Sequence, residues 1–142
     1  MKVAFKHVTT AKDVETYEAG HGVFEALLRE VKELSKKKPE ATMSTGKVKI
    51  INRVLADLLT FLKSAPEGKY LDQLDDDTLP QVSDALLVMV QFETALSKFV
   101  GRYFSYVSAY DRHVWITEEL VVEMEQLPDE DGELEDDELE ED

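Results

Sequence analysis

The sequence predicts an all-α protein: a three- to four-helix bundle with one long central helix and an acidic C-terminal tail. Three observations carry that expectation. Apolar residues recur three and four positions apart through most of the first 127 residues, the spacing of a helical face. Hydrophobic residues make up 43% of the 142-residue chain, enough to bury a core. The formal net charge of −15 is gathered at one end: residues 1–117 hold 16 acidic and 16 basic residues, and from Glu118 onward there is no Lys or Arg.

Taken in order, Val3 and Phe5 alternate with charged or small neighbours and predict a short extended arm. Thr10-x-x-Asp13 has the form of a capping box with Asp in place of Glu. Val14, Tyr17, His21, Phe24, Leu28 and Val31 then share one helical face to about Lys37, before Pro39. Gly20 and Gly22 should weaken or bend this helix, by about 1 kcal/mol each relative to Ala. Residues 38–46 read as a linker. A second helix over about 45–65 carries Val48, Ile51, Leu55, Leu58, Leu62 and Ala65 on a stripe widened by Ile50, Val54 and Phe61, and ends at Pro66-Glu67-Gly68.

Residues 69–77 have room for one helical turn. Asp77 or Thr78 then caps a third helix, with Pro80 in its first turn. Its face, Val82, Leu86, Met89, Glu93, Leu96, Val100, Tyr103, Val107 and Tyr110, extends from about Leu79 to Tyr110. At about 1.5 Å per residue it would span roughly 48 Å and overhang its neighbours. Thr117, Glu118 and Glu119 open a final helix, since acids favour a helix N-terminus, and Leu120, Met124 and Leu127 give it an apolar edge before Pro128. The expected organisation is a helical domain over 1–127 and an acidic tail over 128–142, disordered when free because like charges repel and little can be buried.

Composition removes several function classes. Without Cys there is no disulfide scaffold, thiolate zinc site, iron–sulfur ligation or cysteine nucleophile. The N-terminal MKVAFKHVTT lacks the apolar core of a secretory signal. The most hydrophobic window, 85–104, contains Glu93, Lys98 and Arg102, which a membrane span of ~20 residues would not hold. A cytoplasmic protein with no membrane partner is expected.

Six features are candidates for chemistry. Glu18-x-x-His21, with Glu15 a turn earlier, is half of the carboxylate–histidine pattern of di-iron bundles. The second half is missing, because Tyr110 precedes His113 and Ala4 precedes His7 at that spacing; no metal or cofactor is expected. His21 and Glu93 are buried polar candidates, costly in a helical seam unless paired. Ser44-Thr45-Gly46-Lys47 looks like a phosphate loop but has Ala41 and Val48 where the loop needs Gly and Ser/Thr.

Residues 102–115 supply Arg102, Tyr103, Tyr106, Tyr110, Arg112 and Trp115. On a helix Tyr103, Tyr106 and Tyr110 share a side, next to a small-residue stripe of Ser97, Gly101, Ser105 and Ala109. Such a patch suits ordinary core, a protein interface or stacking on single-stranded bases. The basic group Lys32, Lys36, Lys37, Lys38, Lys47, Lys49 and Arg53 reads as a solvated face, a phosphate contact or a receiver for the acidic tail. The acidic end offers Glu118, Glu119, Glu123, Glu125, Asp129, Glu130, Asp131, Glu133, Glu135, Asp136, Asp137 and Glu138, with Leu134 and Leu139 as apolar anchors. A run of this kind imitates phosphate spacing and can capture basic proteins.

In composition this end resembles proteins that mimic DNA and phage-encoded inhibitors, a likeness that transfers no residue roles. The function expected is a non-enzymatic binding module, an inhibitor or adaptor engaging a basic, nucleic-acid-processing partner. Two alternatives stand beside it. One is a homo-oligomeric structural or chaperone-like assembly protein built by the overhanging helix. The other is a nucleic-acid binder autoinhibited by its tail, although direct nucleic-acid binding is disfavoured by the charge.

Overall fold

Ser44 illustrates how closely local chemistry sets the elements: its hydroxyl accepts a hydrogen bond from the Lys47 N–H (3.2 Å), so the Ser-Thr-Gly-Lys run is a helix cap. The computed structural model describes residues 4–128. Among these are four α-helices, α1 (Ala11–Lys37), α2 (Thr45–Leu62), α3 (Val82–Tyr103) and α4 (Glu118–Glu125), and one antiparallel pair, β1 (Phe104–Val107) and β2 (Arg112–Trp115). No described helix is long and apolar enough to cross a membrane. The chain divides into two units, residues 12–102 and residues 4–11 with 103–128.

In the first unit α1 runs unbroken through Gly20 and Gly22. A Cβ at Gly20 would stand 3.3 Å from the Leu58 Cδ2, so the missing side chain lets α1 lie close to α2. Phe24, Leu28, Leu55, Leu58, Leu62, Met89 and Phe92 are almost inaccessible to solvent. Rings join the three helices: Phe61 and Phe99 at 4.7 Å, Tyr17 and Phe99 at 5.6 Å, Phe24 and Phe92 at 6.4 Å. A buried Phe of this kind is worth about 3–5 kcal/mol against Ala. The buried stripe of α3 passes through Val82, Ala85, Met89, Phe92, Leu96 and Phe99, leaving Leu86, Glu93 and Val100 only half-buried. It is turned from the expected stripe because Phe92 and Phe99 bury more apolar area than Leu86 and Val100 could.

The connection from α2 to α3 is tied down along its length. A 3₁₀ turn, Pro66–Tyr70, places Gly68 where a Cβ would collide with the Leu62 carbonyl oxygen and lie 2.6 Å from that of Lys63. Asn52 holds the next stretch as a strand would: its Nδ2 donates to the Leu74 carbonyl (2.9 Å) and the Leu74 N–H donates to its Oδ1 (2.8 Å). Thr42 and Gln81 form an antiparallel bridge, with Met43 N–H donating to the Pro80 carbonyl and Val82 N–H to that of Ala41, both at 2.8 Å.

In the second unit the expected long helix over Leu79–Tyr110 is corrected. α3 stops at Tyr103, and residues 104–115 turn back as a hairpin pairing Phe104 with Trp115, Ser105 with Val114, Tyr106 with His113 and Val107 with Arg112. The overhang behind the homo-oligomer alternative is therefore not formed, and the Ser97–Ala109 stripe does not continue past Tyr103. The turn rests on Asp111 at φ 53°, a left-handed conformation that Asp tolerates. Beyond the extended arm the alternation predicts, Thr9 pairs: its N–H donates to the Ile116 carbonyl (2.9 Å), and the Glu118 N–H donates to the Thr9 carbonyl (2.8 Å). Thr117 caps α4 by accepting from the Leu120 N–H (3.0 Å), and Glu119 accepts from the Ala11 N–H at the start of α1 (3.0 Å). Val107, Val114, Ile116 and Met124 form this unit's core, with Phe5, Tyr110, Leu120 and Leu127 around them. Of the expected tail only Pro128 is described; residues 129–142 lie outside the described residues.

Two substitutions test these supports by thermal or urea unfolding. Asn52→Ala, which strands both backbone groups of Leu74, is expected to cost about 2 kcal/mol. Gly68→Ala is expected to cost about 1–3 kcal/mol, because backbone rather than a flexible side chain would have to yield.

Candidate interaction surface

Residues paired across an antiparallel ladder share a face of the sheet. On one face of the hairpin, Val107 and Val114 are buried in the core. On the other stand four rings, Phe104 and Tyr106 from β1 and His113 and Trp115 from β2. Phe104 lies 5.0 Å from Trp115 and 5.7 Å from His113, and Tyr106 meets His113 edge-on at 5.8 Å. Phe104 is 37% and Tyr106 53% exposed, and His113 is also exposed. Contiguous rings on a pleated surface offer aromatic faces on which cations, bases and other rings can pack.

Polar groups around this platform hold it in shape. The Tyr106 hydroxyl donates to Asp111 Oδ1 (2.6 Å), an acceptor that raises the Tyr106 pKa above its ordinary value. The Tyr110 hydroxyl donates to Glu123 Oε2 (3.1 Å); its pKa is raised first by burial and then by that bond. The Arg112 guanidinium lies 5.8 Å from the centre of the Tyr110 ring. α4, whose Met124 packs with Val107 and Val114 on the opposite face of the hairpin, carries exposed Glu118, Glu123 and Glu125.

The sequence candidates are thus redistributed. Tyr103, Tyr106 and Tyr110 do not share a helical side: Tyr103 closes α3, Tyr106 is on β1 and Tyr110 is in the turn. Trp115 joins Tyr106 on the ring face. Arg102 is committed elsewhere, forming a two-pronged pair with Glu67 (Nη1–Oε1 3.3 Å, Nη2–Oε2 2.9 Å) in the other unit. Phe104 and His113 are the surface residues that helical spacing missed; their alternation with Tyr106 and Trp115 at period two was the signal. Asp129, Glu130, Asp131, Glu133, Leu134, Glu135, Asp136, Asp137, Glu138 and Leu139 lie outside the described residues.

His21 and Glu93 line one open cleft between α1 and α3, together with Tyr17, Glu25 and Lys98. No hydrogen bond or ion pair joins them; the His21 ring stacks on Tyr17 at 4.9 Å. Burial, then Glu25 and Glu18, raise the Tyr17 pKa. Elsewhere in this unit, Lys37 and Lys47 of the basic group rim an apolar groove of about 300 Å³ floored by Val31, Met43 and Ile51, and Lys36 pairs with Glu33 (3.2 Å). Asp75, Asp76 and Asp77 cluster on the surface. Asp75 caps its own turn, accepting from the N–H groups of Asp77 (2.8 Å) and Thr78 (2.9 Å), which lowers its pKa.

No family model matches the chain, and neither a curated protein nor a solved structure matches it.

The Arg102–Glu67 pair makes a pH-dependent contribution that can be measured. The hydrogen bonds from Arg102 hold the Glu67 carboxyl below its ordinary value of 4.5. A lowered folded-state pKa stabilises the fold above the unfolded value and loses that stabilisation as the pH falls through the folded value. Glu67→Gln is therefore expected to cost about 1 kcal/mol at neutral pH. The difference from the parent should shrink below pH 4.5 in acid unfolding curves.

Proposed function

We propose that the chain is a non-enzymatic protein-binding module, an inhibitor or adaptor that engages a basic, nucleic-acid-handling protein through its acid-rich C-terminal part, by imitating the phosphate charge of DNA. The observation that carries this reading is that the charge excess follows the division of the fold. Residues 1–11 and 103–142 contain 16 acidic and three basic residues, whereas residues 12–102 contain 15 and 13. In this reading residues 12–102 serve as a three-helix bundle scaffold. The other unit, net −13 by that count (3 − 16), combines this acid excess in sequence with an exposed aromatic face. Acids alone would draw cations without selection; rings in the same unit add apolar area that such partners can bury.

A partner that normally holds nucleic acid should be recovered on immobilised full-length protein and displaced by a short DNA duplex. Its affinity should fall at least roughly tenfold between about 50 and 200 mM salt. Removing residues 129–142 should weaken capture at low salt. Capture indifferent to salt, to the DNA competitor and to the truncation would overturn the reading.

A further inference from the structure

The ring face of the hairpin raises a more specific question, namely which cation it selects. A lysine ammonium is a compact, strongly hydrated point charge, and a carboxylate satisfies it without help from a ring. An arginine guanidinium is planar and weakly hydrated, so it can stack flat on an aromatic face while the donors at its edge remain free for carboxylates. The hairpin offers both halves of that arrangement. Phe104, Tyr106, His113 and Trp115 form a continuous ring surface. At its edge Asp111 gives only Oδ1 to the Tyr106 hydroxyl. The same unit already packs one guanidinium on a ring, Arg112 on Tyr110.

We propose that this face is an arginine-reading surface: guanidinium groups of the basic partner stack on Phe104, Tyr106 and Trp115 while the Asp111 carboxylate beside Tyr106 takes edge donors. The proposal rests on the function above and narrows its partner to arginine-rich segments. Charge argues against the other occupants of an aromatic platform. Single-stranded bases would bring phosphates toward a unit with 16 acids and three bases. A second copy using the same face would set two such units against each other.

Trp115 is the chain's single tryptophan, so its emission reports on this face directly. The test titrates full-length protein at low salt with an oligoarginine peptide and an oligolysine peptide of equal length, and with oligothymidylate. Arginine is expected to perturb Trp115 emission and to bind about fivefold tighter than lysine. Phe104→Leu and Tyr106→Leu, each with an unchanged far-ultraviolet circular dichroism spectrum, are expected to bring the two peptides to roughly equal affinity. Equal, salt-sensitive binding of both peptides by the unmodified chain would overturn arginine reading and leave the acidic-module function standing. Binding of neither peptide would overturn both, and a Trp115 response to oligothymidylate alone would assign the face to nucleic acid instead. The comparison on the unmodified chain decides the matter even if a variant fails to fold.

Discussion

A two-stranded hairpin does not hold its shape in water without something packed against it. The ring face therefore depends on the backbone hydrogen bonds that bind the β2 exit to the arm. Ile116 donates to the Tyr103 carbonyl, Thr9 donates to the carbonyl of Ile116, and Glu118 donates to the carbonyl of Thr9. These bonds turn the hairpin toward Met124 and fix the point at which α4 begins. Thr9 and Thr117 are the buried polar residues of the described chain, and both sit at this junction, where an unmet donor or acceptor would be costly. If the junction opened, Val107 and Val114 would lose their cover and the four rings would lose their common face.

Much of the helical unit was legible because its signals agree. In α2, Val48, Ile51, Leu55, Leu58 and Leu62 repeat at helical spacing and are all buried, and Ser44 begins the helix by ordinary capping. α3 was legible as a helix but not in its rotation, because its two possible seams share Val82, Met89 and Leu96 and only packing decides between them. The hairpin was hidden for a different reason. Tyr103, Tyr106 and Tyr110 satisfy a helical repeat while Phe104, Tyr106, His113 and Trp115 satisfy a strand repeat, and the turn between them contains no Gly or Pro. Asp111 is its one local sign, an Asp in a left-handed conformation. Of the candidate surface, the aromatic richness and the acids were visible in the sequence, and the shared face was not.

Under the proposed function, the acids and the rings of the acid-rich unit divide the work of recognition. Charge acts at a distance, within a Debye length of about 8–10 Å at physiological salt, and speeds encounter more than it fixes the partner. The rings act only on contact, and the 2.6 Å bond from Tyr106 to Asp111 limits how far one of them can swing away. Attraction without selection, followed by selection at short range, is what the proposed search for one basic partner among many would require.

The acid-rich unit is assembled from distant parts of the sequence, and this sets the order in which the molecule can mature. The bond from Ala11 to Glu119 spans 108 residues, and Thr9 waits equally long for Ile116 to be made. At synthesis rates of about 5–20 residues per second, the arm leaves the ribosome on the order of ten seconds before its complement exists. Residues 12–102 are made within that interval, and their own core residues are all in the chain before Ile116 is added. The hairpin's ring face is completed after the helices of residues 12–102, so the surface proposed for binding is later in the chain than the helices proposed as its scaffold.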